Sequence, residues 1–245
     1  MLAMQALILA AGWATRLGSL ARGTPKHLLP IGSRCSLDII VGQLDAIPEL
    51  DQIHVITHAV FFPQFVEWAA THESSRRLVV HNDQTRSEST KLGSIGDIRY
   101  FLGKVELDDD LIIVAGDNVS DFDLRPLASA STRNIVVGIY DVKVVDLASR
   151  YGIVELDENG RITTFVEKPT DPPSTLAATG IYGVPRENLS DFDAYLEAGG
   201  NPDKLGSVME WLHTRRDVRG YLFCGRWFDI GSPDEYARVR CEFGR

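Results

Sequence analysis

The sequence contains little of what disulfide-bonded, zinc-binding and membrane-spanning proteins need. Only three of the 245 residues are cysteines, and the spacing of Cys35, Cys224 and Cys241 fits neither a disulfide framework nor a metal site. The six histidines are scattered and form no cluster with cysteine, which argues against zinc chemistry. No apolar run approaches the roughly 18 residues of a membrane span. We therefore expect a protein of the reducing cytoplasm with no membrane partner.

Positive charge is also scarce. The 25 Lys and Arg residues against 34 Asp and Glu give a formal net charge of −9, and such an acidic field attracts neither nucleic acid nor an anionic membrane. A local cationic loop can still bind a phosphorylated small molecule. The length fits one large α/β domain or two small ones.

Several motifs that identify common enzyme classes are missing. The sequence has no Gly-x-Ser-x-Gly elbow and no Gly-x-x-x-x-Gly-Lys-Ser/Thr loop, which excludes the typical serine hydrolases and P-loop proteins. A dinucleotide-dependent oxidoreductase stays an alternative, although Gly-x-Gly-x-x-Gly does not follow the first predicted strand. The segment from Met1 to Ala11 is apolar but short and lacks a basic region, so we expect no signal peptide.

Apolar runs alternate with helical patterns along the first half of the chain. We predict strands at 6–10, 53–57, 78–80 and 111–115, and helices at 36–47, 61–70 and 90–102, with Ser36 as a helix cap. Five further strand-like runs follow (135–140, 153–156, 162–166, 178–182 and 221–223), with a hairpin turn at 158–160. This order predicts a mostly parallel sheet with helices on both faces, continuing into a mixed-sheet half.

The loop after the first strand has the chemistry of an anion site. It carries Gly12, Thr15, Arg16 and Lys26. Backbone N–H groups at a strand-to-loop junction, together with two cations, suit a polyphosphate, because fixed donors and charges neutralise several oxygens at once. The alternative is a tight surface turn with two solvated cations.

Two carboxylates also stand at informative positions. Asp117 directly follows an apolar strand, where open α/β sheets bind ligands and where a hard cation would find its carboxylate. Asp229 lies three residues before Ser232, a predicted helix cap that is followed by Pro233 and completed by Glu235 in a capping box. Capping explains those three residues but gives no role to Asp229.

Four segments, in order, resemble the signatures of the sugar-1-phosphate nucleotidylyltransferases, also called NDP-sugar pyrophosphorylases, which include the glucose-1-phosphate thymidylyltransferases. The segments are the 12–26 loop, 115–118, 151–180 with its Tyr-Gly and Glu-Lys-Pro elements, and 226–236. The chain departs from the family pattern at Ala14, where a second glycine is usual, and at Gly18, where proline is common.

The resemblance implies a Rossmann-like α/β fold with an embedded sugar-binding subdomain, and it assigns a role to specific residues. Catalysis would rest on Arg16, Lys26 and Lys168. The nucleotide would be bound by Ala10, Ala11, Gly12, Thr15, Arg16, Lys26, Asn82, Gly93 and Asp117. The sugar phosphate would be bound by Gly152, Glu167, Lys168, Thr179, Gly180 and Trp227. Asp117 and Asp229 would hold Mg²⁺.

The implied reaction joins an NTP to a sugar 1-phosphate, or a similar cyclic-polyol phosphate, and releases pyrophosphate. We expect one domain over 1–245, with a nucleotide-binding core to about 130 and a sugar-phosphate part with a closing helix after it. The sequence leaves open the base, the sugar and whether the protein is a homo-oligomer. A catalytically silent paralogue that only binds sugar nucleotides, or a regulatory subunit, is the main alternative. Because the sequence ends soon after 226–236, we expect no C-terminal β-helix acetyltransferase domain.

Overall fold

The computed structural model describes residues 4–244, so Met1 to Ala3 of the apolar N-terminal segment lie outside it. The strands are β1 (Met4–Leu9), β2 (Leu50–Thr57), β3 (Arg77–Asn82), β4 (Asp110–Ala115), β5 (Asn118–Ser120), β6 (Ile135–Asp141), β7 (Gly152–Leu156), β8 (Ile162–Glu167), β9 (Leu176–Val184), β10 (Val218–Leu222) and β11 (Trp227–Asp229). The helices are α1 (Ser36–Asp45), α2 (Phe62–Thr71), α3 (Ser94–Leu102), α4 (Arg125–Ala130), α5 (Val145–Ala148), α6 (Asp191–Glu197), α7 (Leu205–Leu212) and α8 (Pro233–Phe243).

The central sheet runs in the order β10-β6-β9-β4-β1-β2-β3, and the antiparallel β7–β8 hairpin joins it through β9. The strands of the first half, β1 to β4, pair in parallel. Strand β9 then runs antiparallel between β4 and β6. The predicted change from a parallel to a mixed sheet is therefore confirmed, as is the α/β fold class.

Helices cover both faces of this sheet, which is why β1 reads as an unbroken apolar run from Ala6 to its end. Ala6 and Ile8 belong to the core that packs beneath α1, whereas Leu7 and Leu9 belong to the core beneath α3 and α7. A strand buried on both sides has no position for a polar side chain. Within residues 4–244, no helix combines the length and the apolar character needed to cross a bilayer.

A separate two-stranded sheet, not predicted from the sequence, connects distant parts of the chain. Strand β11 pairs antiparallel with β5, so that Asp229 lies opposite Asn118. Helix α8 then packs on the loops near the first strand, and the Tyr236 hydroxyl donates to the carbonyl of Pro30 at 2.7 Å.

One predicted helix cap and one predicted helix start were wrong. Helix α1 is capped by Cys35, whose N–H donates to the Asp38 carboxylate at 2.7 Å, while the Ser36 hydroxyl donates to buried backbone carbonyls instead. Helix α3 begins at Ser94 rather than Thr90, because Gly93 with φ of 79° interrupts the helical backbone.

The predicted cap of α8 is present in modified form. The Ser232 hydroxyl accepts from the backbone N–H of Glu235 at 3.3 Å. The Glu235 carboxylate accepts the reciprocal bond from the N–H of Gly231, rather than from that of Ser232 as in a standard capping box.

Candidate active site

The sequence-predicted charged residues meet in one cleft at the carboxyl ends of β1 and β4. The cleft has a volume of about 270 Å³, and the loop residues Gly12, Arg16 and Lys26 line it together with Asp117 and Asp229. Glu167 and Lys168, where β8 ends, line the same cleft. We call this the first cleft.

Lys26 and Asp117 form an ion pair at the base of the first cleft. Burial alone would raise the pKa of Asp117, but the adjacent ammonium of Lys26 lowers it below its usual value. A Cβ atom at Gly12 would lie 3.7 Å from Cε of Lys26, so the glycine backbone lies close to the lysine side chain. The loop and the end of β4 therefore form a single charged surface.

Asp229 is brought to Asp117 by the β5–β11 pairing. The N–H of Ile230 donates to the carbonyl of Asp117 at 2.9 Å, which fixes the two segments side by side. Burial and the nearby charge of Asp117 raise the pKa of Asp229 to about 7. Arg16 extends over the same turn, since its Nη2 would be 3.4 Å from a Cβ atom at Gly231.

One side of the first cleft is built on the β7–β8 hairpin. Gly152 lies opposite Glu167 in the ladder, and burial raises the pKa of the Glu167 carboxyl. Lys168 follows directly, with a φ of 53°, and its N–H donates to the carbonyl of Tyr151 at 3.0 Å. Glu167 and Lys168 thus lie where β8 ends, and both line the first cleft.

Three further predicted residues also line this cleft. The Thr179 hydroxyl is buried and donates to the carbonyl of Gly138 at 3.0 Å, so it has a structural bond. Gly180 has a φ of 74°, and a Cβ atom there would lie 2.9 Å from that of Ala115. The Trp227 indole N–H donates to the Asn118 side chain at 2.7 Å.

A second cleft adjoins the first. It is lined on one side by the 11–17 loop, including Thr15, and on the other by 91–94, including Gly93. The two clefts share wall residues in the loop, at the start of α3 and just before α7: Ala11, Gly12, Arg16, Lys26, Ser94, Asp97 and Asp203. They are thus contiguous, and the cationic loop stands between them.

Two predicted nucleotide-binding residues lie elsewhere. Ala10 is buried, and its N–H bonds to the carbonyl of Ile56. The Asn82 side chain accepts from the N–H of Gln84 at 2.8 Å, which stabilises a turn, and it lines neither cleft.

Sequence reasoning missed other wall residues. Among them are Trp13, Asp83, Asp97, Asp203, Lys204 and Gly206. A usable signal was present for Asp97, because a carboxylate on the face of α3 that also carries Ile98 and Phe101 breaks the helix's apolar pattern. The others lie in loops or at helix starts, where periodicity gives no information.

The nucleotidyl transferase family model matches residues 5–244, nearly the whole chain. The chain belongs to the nucleotidyl transferase family. This confirms the family resemblance found from the four segments, and it gives no support to the oxidoreductase alternative.

Individual members of the family are more distant. A Sulfolobus acidocaldarius protein provisionally named mannose-1-phosphate guanyltransferase is 28% identical over 239 residues, covering 98% of this chain and 63% of the relative. The bifunctional protein GlmU of Methanococcus aeolicus is 26% identical over 230 residues, covering 94% of this chain and 52% of the relative. This nucleotidyl transferase chain therefore spans between half and two thirds of the length of these relatives.

Solved structures support the fold. A UDP-glucose pyrophosphorylase crystallised with UDP-glucose superposes with a TM-score of 0.81 over 98% of both chains, at 18% identity. At that identity, the similarity establishes that this nucleotidyl transferase shares the fold of the pyrophosphorylase.

Proposed function

We propose that the protein joins an NTP to a sugar 1-phosphate, or to a similar cyclic-polyol phosphate, releasing pyrophosphate. The observation that carries the proposal is that Lys26, in the loop after β1, and Lys168, at the end of β8, line one cavity together with Asp117 and Asp229. Two cations on separate segments suit two phosphorylated substrates better than one. The name of the Sulfolobus relative, a mannose-1-phosphate guanyltransferase, agrees with a sugar 1-phosphate as the second substrate.

The reaction requires little from the protein beyond placement and charge. A phosphate oxygen of the sugar 1-phosphate attacks the α-phosphorus of the NTP, the new P–O bond forms, and the bond to the departing pyrophosphate breaks. The attacking oxygen is already ionised, so no general base is needed. Rate enhancement then comes from alignment of the two substrates and from neutralising their charges.

Each cation has a position that suits one part of this reaction. Arg16 lies over the Asp229 turn on the nucleotide side, where it would stabilise charge on the leaving pyrophosphate. Lys26 would contact the phosphates of the nucleotide. Lys168, next to Glu167 at the sugar end, would hold the attacking phosphate, while the Glu167 carboxyl accepts hydrogen bonds from sugar hydroxyls.

The residues present fit a divalent cation. Asp117 and Asp229 line the same cleft, and burial together with repulsion from Asp117 raises the pKa of Asp229. A cation between the two carboxylates would remove that repulsion. Residues 4–244 provide no cluster of three or more metal-ligating side chains, so phosphate oxygens and water would complete an octahedral Mg²⁺ shell. Bound there, Mg²⁺ would neutralise charge on the triphosphate.

Pyrophosphate release across a matrix of NTPs and sugar 1-phosphates tests the proposal. We expect one productive pair, and we expect Arg16→Ala and Asp229→Asn to retain the fold and lose turnover. Removal of a charge-stabilising group of this kind costs about 10²–10⁴ in rate. A protein that binds sugar nucleotides but releases no pyrophosphate with any pair would instead be the silent paralogue.

A further inference from the structure

The wall of the second cleft contains a fixed aromatic surface. The rings of Trp13 and His58 are stacked, with centroids 4.0 Å apart and an interplanar angle of 4°. His58 is fully buried, and burial lowers its pKa, so the imidazole is neutral at pH 7. Trp13 is only half-buried and lines the second cleft. His58 thus supports an indole that remains accessible from the cavity.

The same cleft contains a buried carboxyl with an unused acceptor. Asp97 on α3 is 5% exposed and lines both clefts, and its Oδ1 has no hydrogen-bond partner among residues 4–244. Its neighbour Asp83 is already engaged, because the hydroxyl and the N–H of Thr85 both donate to that carboxylate. Burial and the nearby Asp83 raise the pKa of Asp97 to about 8, so the Asp97 carboxyl accepts two donors only after it loses its proton. Buried polar groups are nearly always paired in native proteins, so an acceptor in a cavity wall that lacks a donor points to a ligand that supplies one.

The charged groups around the second cleft are mainly acceptors. Asp203 and Glu88 also line it, and the ammonium of Lys91, its principal cation away from the phosphate loop, is 2.7 Å from the Asp203 carboxylate. Uracil and thymine present two carbonyl oxygens beside a single N–H on their Watson–Crick edge, and such a wall would repel those oxygens. Guanine presents an N1–H and an N2 amino group next to each other, which matches acceptors.

On the basis of the proposed function, we propose that the second cleft binds the guanine base of the nucleotide. The base stacks on Trp13, and its N1–H and N2 amino groups donate to Asp97. The cationic loop between the clefts would then hold the triphosphate of GTP, and its α-phosphorus would face the first cleft. Aromatic stacking tolerates any base but gives the larger contact area to a purine. The carboxyl therefore distinguishes guanine from adenine, and the indole favours purines over pyrimidines.

The test measures kcat/KM for GTP, ITP, ATP, CTP, UTP and dTTP with each of several sugar 1-phosphates, and separately the Kd of GDP, IDP and UDP by calorimetry. We expect GTP to be preferred. ITP, which lacks only the N2 amino group, should be about 10- to 100-fold poorer because one hydrogen bond to a carboxyl is lost. A preference for UTP or dTTP would overturn the base assignment and leave the proposed reaction intact. If the protein binds GDP more tightly than UDP but turns over no substrate pair, the base assignment stands and the proposed reaction is overturned.

Two variants connect the preference to these side chains. Asp97→Asn places an amide donor at the same position, and we expect the GTP/UTP ratio of kcat/KM to fall at least about tenfold. Trp13→Leu should raise the Kd of GDP about tenfold, and Trp13→Phe should raise it less, because phenylalanine keeps a ring. Asp193→Asn is the control, because Asp193 is a half-exposed carboxylate that pairs with Arg99 and lines neither cleft. An unchanged ratio in Asp97→Asn, with unchanged melting temperature, would refute the role of Asp97.

Discussion

The ammonium of Lys26 contacts the carboxylate of Asp117, 91 positions further along the chain, at the base of the first cleft. Both side chains are mostly shielded, with 11% and 25% of their surface exposed. The pair holds a cation and an anion together at the wall of this cavity. In the proposed reaction each has a further partner, since a phosphate can bind the lysine and a divalent cation can bind the aspartate.

Lys26→Met should retain the fold and reduce kcat/KM by about 10²–10⁴, because one fixed positive charge is lost from the triphosphate path. The variant should also be less stable near neutral pH, since Asp117 is left as a shielded anion without its cation. Steady-state pyrophosphate release and thermal melting measure the two effects. Lys143→Met changes an exposed lysine outside both clefts and is the matched control. Equal activity in the two variants would contradict a role for Lys26.

The raised pKa of Asp229 predicts an unusual pH dependence of the stability of the metal-free protein. Its pKa is raised from 3.8 to about 7, so between those values the folded state holds a proton that the unfolded chain has released. Stability should therefore fall as the pH rises from about 4 to 7, by up to a few kcal/mol in total. Asp229→Asn cannot ionise, so its melting temperature in EDTA should fall less between pH 5 and pH 8 than that of the wild type.

The wild type and Asp229→Asn also test the proposed metal site. At pH 8, Mg²⁺ should raise the melting temperature of the wild type, because a cation relieves the repulsion between Asp117 and Asp229. The gain should be smaller in Asp229→Asn. If Mg²⁺ stabilises both proteins equally, the cation binds somewhere other than between these carboxylates.

Gly206 fixes the position of the Glu167 carboxylate. A Cβ atom at Gly206 would lie 1.9 Å from Oε2 of Glu167, so Gly206→Ala must displace the end of that side chain. We expect the KM for the sugar phosphate to rise about tenfold, as for the loss of one hydrogen bond to a charged group, while the KM for the NTP changes little. Gly42→Ala, on the exposed side of α1 with nothing within 4 Å, should leave both KM values unchanged and add about 0.5–1 kcal/mol of stability. A rise in both KM values in Gly206→Ala would indicate general damage.

Trp227 supports the turn that carries Asp117 through Asn118. Its indole N–H donates to Oδ1 of Asn118, and the Asn118 amide in turn donates to the Asp117 carboxylate at 3.2 Å. Trp227→Phe removes the donor and should cost about 1–3 kcal/mol, measured by urea unfolding, because a buried acceptor is left unpaired. Trp211→Phe alters a tryptophan outside both clefts and should cost less. Equal losses would mean that ring volume, rather than the hydrogen bond, accounts for the effect.

Elements with a strong local signal could be predicted from the sequence. The strand at β4 and the helix at α1 were found because apolar residues recur with the period of a buried strand or of an amphipathic helix. Strands β5 and β11 were missed, since each has three residues and exists only through its partner. The start of α3 was misplaced because the backbone angle of Gly93 is not visible in a sequence.

The residues of the candidate site also fall into two groups, those that the sequence predicts and those that only the folded structure brings together. Loop residues such as Arg16 and Lys26 could be nominated by residue type, and they line the first cleft. Asn82 was nominated by position along the chain, but the turn that follows β3 uses its side chain for a local hydrogen bond. Asp97 and Trp13 were not nominated, because their importance comes from neighbours contributed by other segments.

The sequence by itself determined the alternation of strands and helices, the family, and which charged residues are available, because these depend on local periodicity and on short motifs. Only the tertiary structure decided which of those charges share a cavity. Asp229 meets Asp117 because β11 pairs with β5 across more than one hundred residues of chain, and the pairing is stabilised by backbone hydrogen bonds and packing that no local pattern encodes. The pKa of Asp229 has the same origin, since burial and a neighbouring carboxylate exist only after the chain has folded.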